Sequence, residues 1–266
     1  MSTLAATTRS PGVPTTLALT RRELVRIVRQ PSRLLASVAT PLLVWLLLGS
    51  GFAKSFQSPA EGSLIEGIDY GAYLLPGMAT MTVLFSSIFG AMSLIEDRHE
   101  GFLQSVLVSP TPHWAIAASK LLGSSIIATA QAMCLLPAAF ILGDGIGAAG
   151  AGMAAVALLC TAIGIAGLGL ACAWWVDSTQ GFHGVMNLVL LPMWLLSGSV
   201  FPVAGASGWL KVIMLANPVT WCTTVLHNAL GHNAGDPVVA WGVTVGFACL
   251  GIVLGWTTLG RGIRRF

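Results

Sequence analysis

Six long uncharged apolar runs, separated by short polar stretches, are the strongest constraint on this chain. They fall at about 34–53, 74–95, 121–143, 147–175, 184–203 and 238–260. A helix rises about 1.5 Å per residue, so about 20 apolar residues cross a hydrocarbon core about 30 Å thick. The runs lack the period of two that a barrel strand needs. The expected fold is therefore an all-α polytopic membrane protein with six transmembrane helices. Pro41, Pro137 and Pro192 lie inside these runs and are expected to kink their helices. Composition excludes an ordinary soluble domain, because only 9% of residues are charged where about 25% is usual.

Lysine and arginine set the expected orientation. Six spans put both termini on one side, with Arg9, Arg21, Arg22, Arg26, Arg29, Arg33, Arg98, Lys120, Arg261, Arg264 and Arg265. The other side holds Lys54 and Lys211, with acidic Glu61, Glu66, Asp69, Asp144 and Asp236. Positive charge gathers on the cytoplasmic side. Both termini are expected in the cytoplasm, with the chain in the cytoplasmic (inner) membrane. The net charge of +3 then reads as a topology signal and a contact with anionic membrane lipids. No interleaving of aromatic and basic residues points to nucleic acid.

Residues 1–16 are small and polar, and are expected to be a flexible cytoplasmic tail. No cleavable signal peptide is expected, because the first apolar run is long enough to anchor and lacks a small-residue cleavage pattern. The segment 17–30, LALTRRELVRIVRQ, groups Leu17, Leu24 and Val28 on one helical face and Arg22, Arg26 and Arg29 on the other. It reads as an amphipathic helix lying in the membrane interface, ended by Pro31. Cys134, Cys160, Cys172, Cys222 and Cys249 have no CxxC spacing and read as small hydrophobes.

Two loops carry more than connection. EDRHEGFLQSVLVSPTP, residues 96–112, is the one inner loop rich in chemistry. Glu96 and Glu100 share a helical face, Phe102 and Leu103 follow, and Ser109-Pro110-Thr111-Pro112 halts the helix. A short surface helix that docks into a groove of a cytosolic partner fits this pattern. A metal site from Glu96, Asp97, His99 and Glu100 does not, since their spacing matches no ligand pattern. The stretch from Leu196 to Gly231 is too long for a tight turn and too apolar for free solvent. It reads as short outer helices re-entering the membrane between the fifth and sixth spans. Charge is expected only in the loops, without the buried carboxylate or histidine relay of a proton-coupled carrier.

Taken together, the basic amphipathic helix, LLPGMATMTVLFSSIFGAMSL at 74–94, the charged loop after it, SGSVFP at 197–202 and ANPVTWCTTVLHNAL at 216–230 resemble one family. In this order they are similar to membrane subunits of the ABC-2 type, permeases of ABC exporters that include drug-resistance and nodulation-type systems. The resemblance covers about residues 17–262 and treats 17–266 as one transmembrane domain. It implies that the loop after the second span is the coupling helix against the ATPase, with Glu96, Asp97, Arg98, Glu100, Gly101 and Phe102 as coupling residues. It implies a separate cytosolic ABC ATPase subunit that binds ATP and Mg, and a second copy of this chain. The sequence agrees, because no GxxxxGK[ST] occurs, so no Walker A loop holds ATP here. No catalytic, cofactor-binding or metal residue is expected in the chain itself.

The expected function is export of a hydrophobic or amphipathic, drug-like or lipid-like substrate, since the spans are apolar and rich in adaptable Met. Export of a polysaccharide or lipid-linked, glycolipid-like oligosaccharide is the alternative. Two other classes stand beside these: an ion-coupled carrier, and a membrane assembly factor or receptor that needs no ATPase.

Overall fold

The computed structural model describes residues 12–52, 69–102, 104, 106, 112–141 and 146–262. The expected outer loop with Lys54, Glu61 and Glu66, the Ser109–Thr111 break, Asp144 and the residues before Gly12 lie outside this set. Among the described residues the chain is all helical, without a strand. The main helices are α1 (Gly12–Val28), α2 (Pro31–Phe52), α3 (Tyr70–His99), α4 (His113–Met133), α5 (Ala148–Trp175), α6 (Thr179–Leu195), α7 (Gly208–Ala216), α8 (Pro218–Ala229) and α9 (Pro237–Gly262).

α3 is the axis of the molecule. Nearly every residue from Tyr70 to Ile95 is buried, because α2, α4, α5, α6 and α8 all pack on it. Asp69 caps its start by accepting a hydrogen bond from Gly71 N at 3.0 Å, which satisfies an orphan donor. By contrast α2 buries little besides Ser37 and Pro41, and Leu35, Leu43, Leu46 and Leu47 are exposed along it. α5, α6 and α9 also present exposed aliphatic side chains. Apolar residues turned outward around a filled interior suit a lipid surround.

Small residues let the helices approach. α5 and α9 form the most extensive pair, and at Gly251 an added Cβ would sit 2.6 Å from the Ile163 carbonyl oxygen. Gly164 faces the Phe247 ring, and Gly90 of α3 abuts Ser124 of α4. Such contacts replace the hydrophobic drive that is absent between helices in lipid.

Among the described residues four helices, α2, α3, α5 and α9, are long and apolar enough to cross a membrane, or five if α7 and α8, bent by 84°, act as one. The two other expected spans differ from their helices for physical reasons. The run at 121–143 begins earlier, at His113, and α4 stops at Met133, followed by turns over Cys134–Pro137. Pro137 offers no donor to continue the helix. The run at 184–203 becomes α6, shifted to Thr179–Leu195. Ser178 caps its start through Gly181 N, and Gly198, at φ +77°, turns the chain out of it. Pro41 and Pro192 remain within continuous helices. The amphipathic helix begins at Gly12, so 12–16, expected in the tail, is helical, and Thr16 bonds back to Gly12 O at 2.8 Å.

Candidate functional site

The end of α3 gathers most of the charge in the described chain. α1 lies across α4, burying Thr16, Thr20, Glu23 and Ile27. These positions repeat at helical spacing, so a polar stripe faces inward while Leu17, Val25 and Val28 stay exposed. The stripe delivers Glu23 to Lys120 of α4, whose Nζ donates to Glu23 Oε1 at 2.8 Å and to Ser93 Oγ at 2.9 Å. Lys120 also pairs with Asp97. Asp97, Glu23 and Lys120 are only 1%, 3% and 5% exposed.

Arginines from the same helix close the cluster from outside. Arg22 donates to Asp97 Oδ1 at 3.1 Å and to Glu23 Oε1 at 3.1 Å. Arg26 reaches Asp97 Oδ1 at 2.5 Å, Glu96 Oε2 at 3.0 Å and Glu100 Oε1 at 3.4 Å. Arg33, at the start of α2, pairs with Glu96. Four cations (Arg22, Arg26, Arg33, Lys120) thus meet four carboxylates (Glu23, Glu96, Asp97, Glu100). Burial would lower the Arg26 pKa, yet Asp97, Glu96 and Glu100 outweigh it and hold it above its ordinary value.

The residues just beyond α3 divide between two sides. Glu100 caps the helix, and Gly101 turns at φ +74°, where a glycine avoids the cost of a side chain. Phe102 is helical again, and the Arg22 guanidinium lies 3.4 Å from its ring centre. Arg98 points away, donating to Asp177 Oδ1 at 3.0 Å and to the Ala173 and Trp174 carbonyls, both at 3.3 Å. It also lies over the Trp174 ring, and His99 Nε2 contacts Asp177 O at 2.7 Å. One short segment therefore ties α3 to α1, α2, α4 and the end of α5.

The structure brings together five of the expected residues: Glu96, Asp97 and Glu100 around Arg26, and Phe102 against Arg22 across the Gly101 turn. Arg98 serves the opposite flank. The expectation that charge sits only in loops is overturned, because Glu23, Asp97 and Lys120 are buried between helices. Sequence reasoning missed Glu23 and Lys120. Each carried a signal: Glu23 is the one carboxylate in a run of arginines, and Lys120 is a lone cation beside an apolar run. Among the described residues no group of three metal-ligating side chains assembles.

At the other end of α3 the ties are neutral. Tyr73 Oη donates to Gly198 O at 2.5 Å, Tyr70 Oη to Val200 O at 3.1 Å and Trp194 Nε1 to Gly77 O at 2.8 Å. Asn217 caps α8 through Val219 N and donates to Met193 O at 2.6 Å. The tyrosine bonds seat the 196–203 turn on the helix that carries the charged cluster at its opposite end, and the Asn217 bond ties the α7–α8 bend to α6.

Apolar helices packed around one central helix, several of them long enough to cross a membrane, define a multi-pass membrane protein. A family model described as ABC-2 type transporter matches residues 14–230, and the chain belongs to that family. It is similar to a protein of Pyropia yezoensis named as transport permease ycf38, at 23% identity over 89% of this chain and 81% of that one. It is also similar to the daunorubicin resistance ABC transporter permease protein DrrB1 of Streptomyces coeruleorubidus, at 24% identity over 85% and 78%. Nodulation protein J of Neorhizobium galegae is 28% identical over 84% and 82%. The chain is thus a membrane subunit of an ABC transporter and not itself the ATPase.

Proposed function

We propose that this chain is the permease of an ATP-driven exporter, moving a hydrophobic or amphipathic, drug-like or lipid-like substrate out of the cytoplasm. A separate ABC ATPase subunit binds ATP and Mg and supplies the work, and a second copy of this chain completes the path. The observation that carries this reading is the charged clamp at the end of α3. It joins the turn at 100–102 to α1, α2, α4 and, through Arg98, α5. A push on that turn from a cytosolic partner is thereby delivered to the helix on which the rest packs. Glu100, whose side chain is 62% exposed, and Phe102 form the contact surface, and Glu96 and Asp97 anchor it from within.

In this reading six segments cross the inner membrane, with α4 plus the piece after Pro137 as the third and α6 as the fifth. The termini are cytoplasmic, α1 lies in the interface, and α7–α8 re-enter from the outer leaflet. The name of DrrB1, which attaches that protein to daunorubicin resistance, favours an apolar drug-like cargo over a polymer. The test is reconstitution in liposomes with and without the cognate ATPase. ATP-dependent efflux of an apolar dye that needs both proteins supports the proposal. Efflux driven by an ion gradient without any ATPase overturns it.

A further inference from the structure

The arginines at and beside α1 do not share one role. Arg22 and Arg26 are engaged by Glu23, Glu96, Asp97 and Glu100, and Arg33 by Glu96. Arg21 and Arg29 are exposed, and among the described residues neither forms an ion pair. The face they belong to is the reverse of a solvated helix. Thr16, Thr20 and Glu23 are turned inward, whereas Val13, Leu17, Val25 and Val28 are exposed. Leu17, Arg21, Val25 and Val28 recur at helical spacing and form one outward strip, with Arg29 just beyond its end. Glu23 is the one carboxylate of α1 and lies on the buried side, so no acid offsets the two outward guanidinium groups.

An apolar strip that carries two unpaired cations and no anion is complementary to the boundary of a bilayer with anionic headgroups. Two neighbouring features put α1 at that boundary. Trp114, in the first turn of α4, is exposed and lies against Gly12, where an added Cβ would meet its ring. Tryptophan is enriched at the membrane interface. At its other end α1 leads directly into α2, where Leu35, Leu43, Leu46 and Leu47 are exposed.

We propose that Arg21 and Arg29 bind the phosphates of anionic phospholipids, whose chains cover Leu17, Val25 and Val28, and that this occupancy steadies the charged clamp. The inference rests on the reading of α1 as an interfacial helix on the cytoplasmic side. Guanidinium suits phosphate because it is planar, weakly hydrated and able to give two parallel hydrogen bonds. From 21 to 29 a helix rises about 12 Å, so each arginine holds its own headgroup. The clamp is the other face of the same element, with Arg22 and Glu23 next to Arg21 and Arg26 between the two lipid-facing arginines. Headgroups that hold Arg21 and Arg29 thereby hold α1 on α4, with Glu23 on Lys120 and Arg22 and Arg26 on Asp97.

The experiment places the full chain in nanodiscs of phosphatidylcholine, alone or mixed with phosphatidylglycerol. Traces of either lipid with a photoreactive chain are cross-linked and mapped by mass spectrometry, and thermal melting is followed in parallel. We expect phosphatidylglycerol to label α1 in preference to phosphatidylcholine and to raise the thermal midpoint, with both effects weakened by high salt. Arg21→Gln and Arg29→Gln should each lower that preference at α1 about fivefold, leaving the labelling of α9 unchanged. The double variant should melt in phosphatidylcholine like the unmodified chain, yet gain nothing from phosphatidylglycerol. Lys211→Gln, an exposed cation on α7, should leave the preference intact. An undiminished preference in the double variant, or a gain in midpoint reproduced by inorganic phosphate in phosphatidylcholine alone, overturns the site. A lost preference with the midpoint gain retained overturns its link to the clamp. ATP-dependent efflux by the double variant with its ATPase, in phosphatidylcholine liposomes, tests the permease reading separately.

Discussion

Asp97 is the residue on which the charged end of the molecule turns. It accepts from Arg22, Arg26 and Lys120 at once while almost wholly buried. Ions so placed give up hydration, and their attraction is repaid only while every partner is present. Removing one partner of a buried pair costs about 3–5 kcal/mol, because the other charge is stranded. Lys120→Met strands Glu23, whose remaining cation, Arg22, is partly exposed. It should lower the thermal midpoint of the protein in nanodiscs markedly. Adding Glu23→Gln to Lys120→Met should recover part of that loss, since a neutral amide needs no counter-charge. A double variant no more stable than Lys120→Met alone would show that the cluster is not electrostatically coupled. The pairing was hidden from sequence reasoning because the partners lie far apart in the chain. Glu23 and Lys120 meet only after α1 is laid across α4.

At the scale of elements, the spans that sequence places best are those with no internal break. α2, α3, α5 and α9 follow their apolar runs to within a few residues. Run length fixes them even where Pro41 of α2 and Pro76 of α3 lie inside the helix. The expected third and fifth spans fail at their ends, where Pro137 and Gly198 change the backbone while hydropathy continues unchanged. Glycine positions separate packing from propensity within one helix. On α5, a Cβ at Gly167 would collide with the backbone of Gly251 on α9, while Gly152 faces open space. Gly167→Leu should therefore force α5 and α9 apart. Overpacking costs about 1–3 kcal/mol where neighbours yield, and backbone yields less than side chains do. Gly152→Ala should be neutral or stabilising, since glycine inside a helix costs about 0.5–1 kcal/mol relative to alanine. Expression and thermal melting of the two variants check this, and equal behaviour would rule out the close α5–α9 crossing.

For the whole molecule the questions are which face meets the cytosol and how force enters. In a background without native cysteines, Ser63→Cys should react with an impermeant thiol reagent on intact cells, and Ser105→Cys should not. The reverse pattern defeats the orientation, which rests on the eleven-to-two division of Lys and Arg. Given that orientation, the clamp makes two kinds of residue distinguishable. Asp97 is sealed from any partner, so Asp97→Asn should reduce stability and lower ATPase binding only in proportion to folded protein. Glu100 is largely exposed, and its 3.4 Å contact with Arg26 is a rim pair of the sort worth about 0–1 kcal/mol. Glu100→Lys should leave melting nearly unchanged, yet place a cation on the proposed docking turn. Phe102→Ala loses its contact with Arg22, worth about 0.5–1 kcal/mol at an exposed site. It should cost ATPase affinity more than stability if the ring also anchors the partner. The deciding measurement is ATPase binding and ATP-driven efflux for all three variants, each normalised to folded protein. If Glu100→Lys and Phe102→Ala bind the ATPase and transport like the unmodified chain, the 100–102 turn is an internal brace. The contact surface must then be sought elsewhere on the cytoplasmic face.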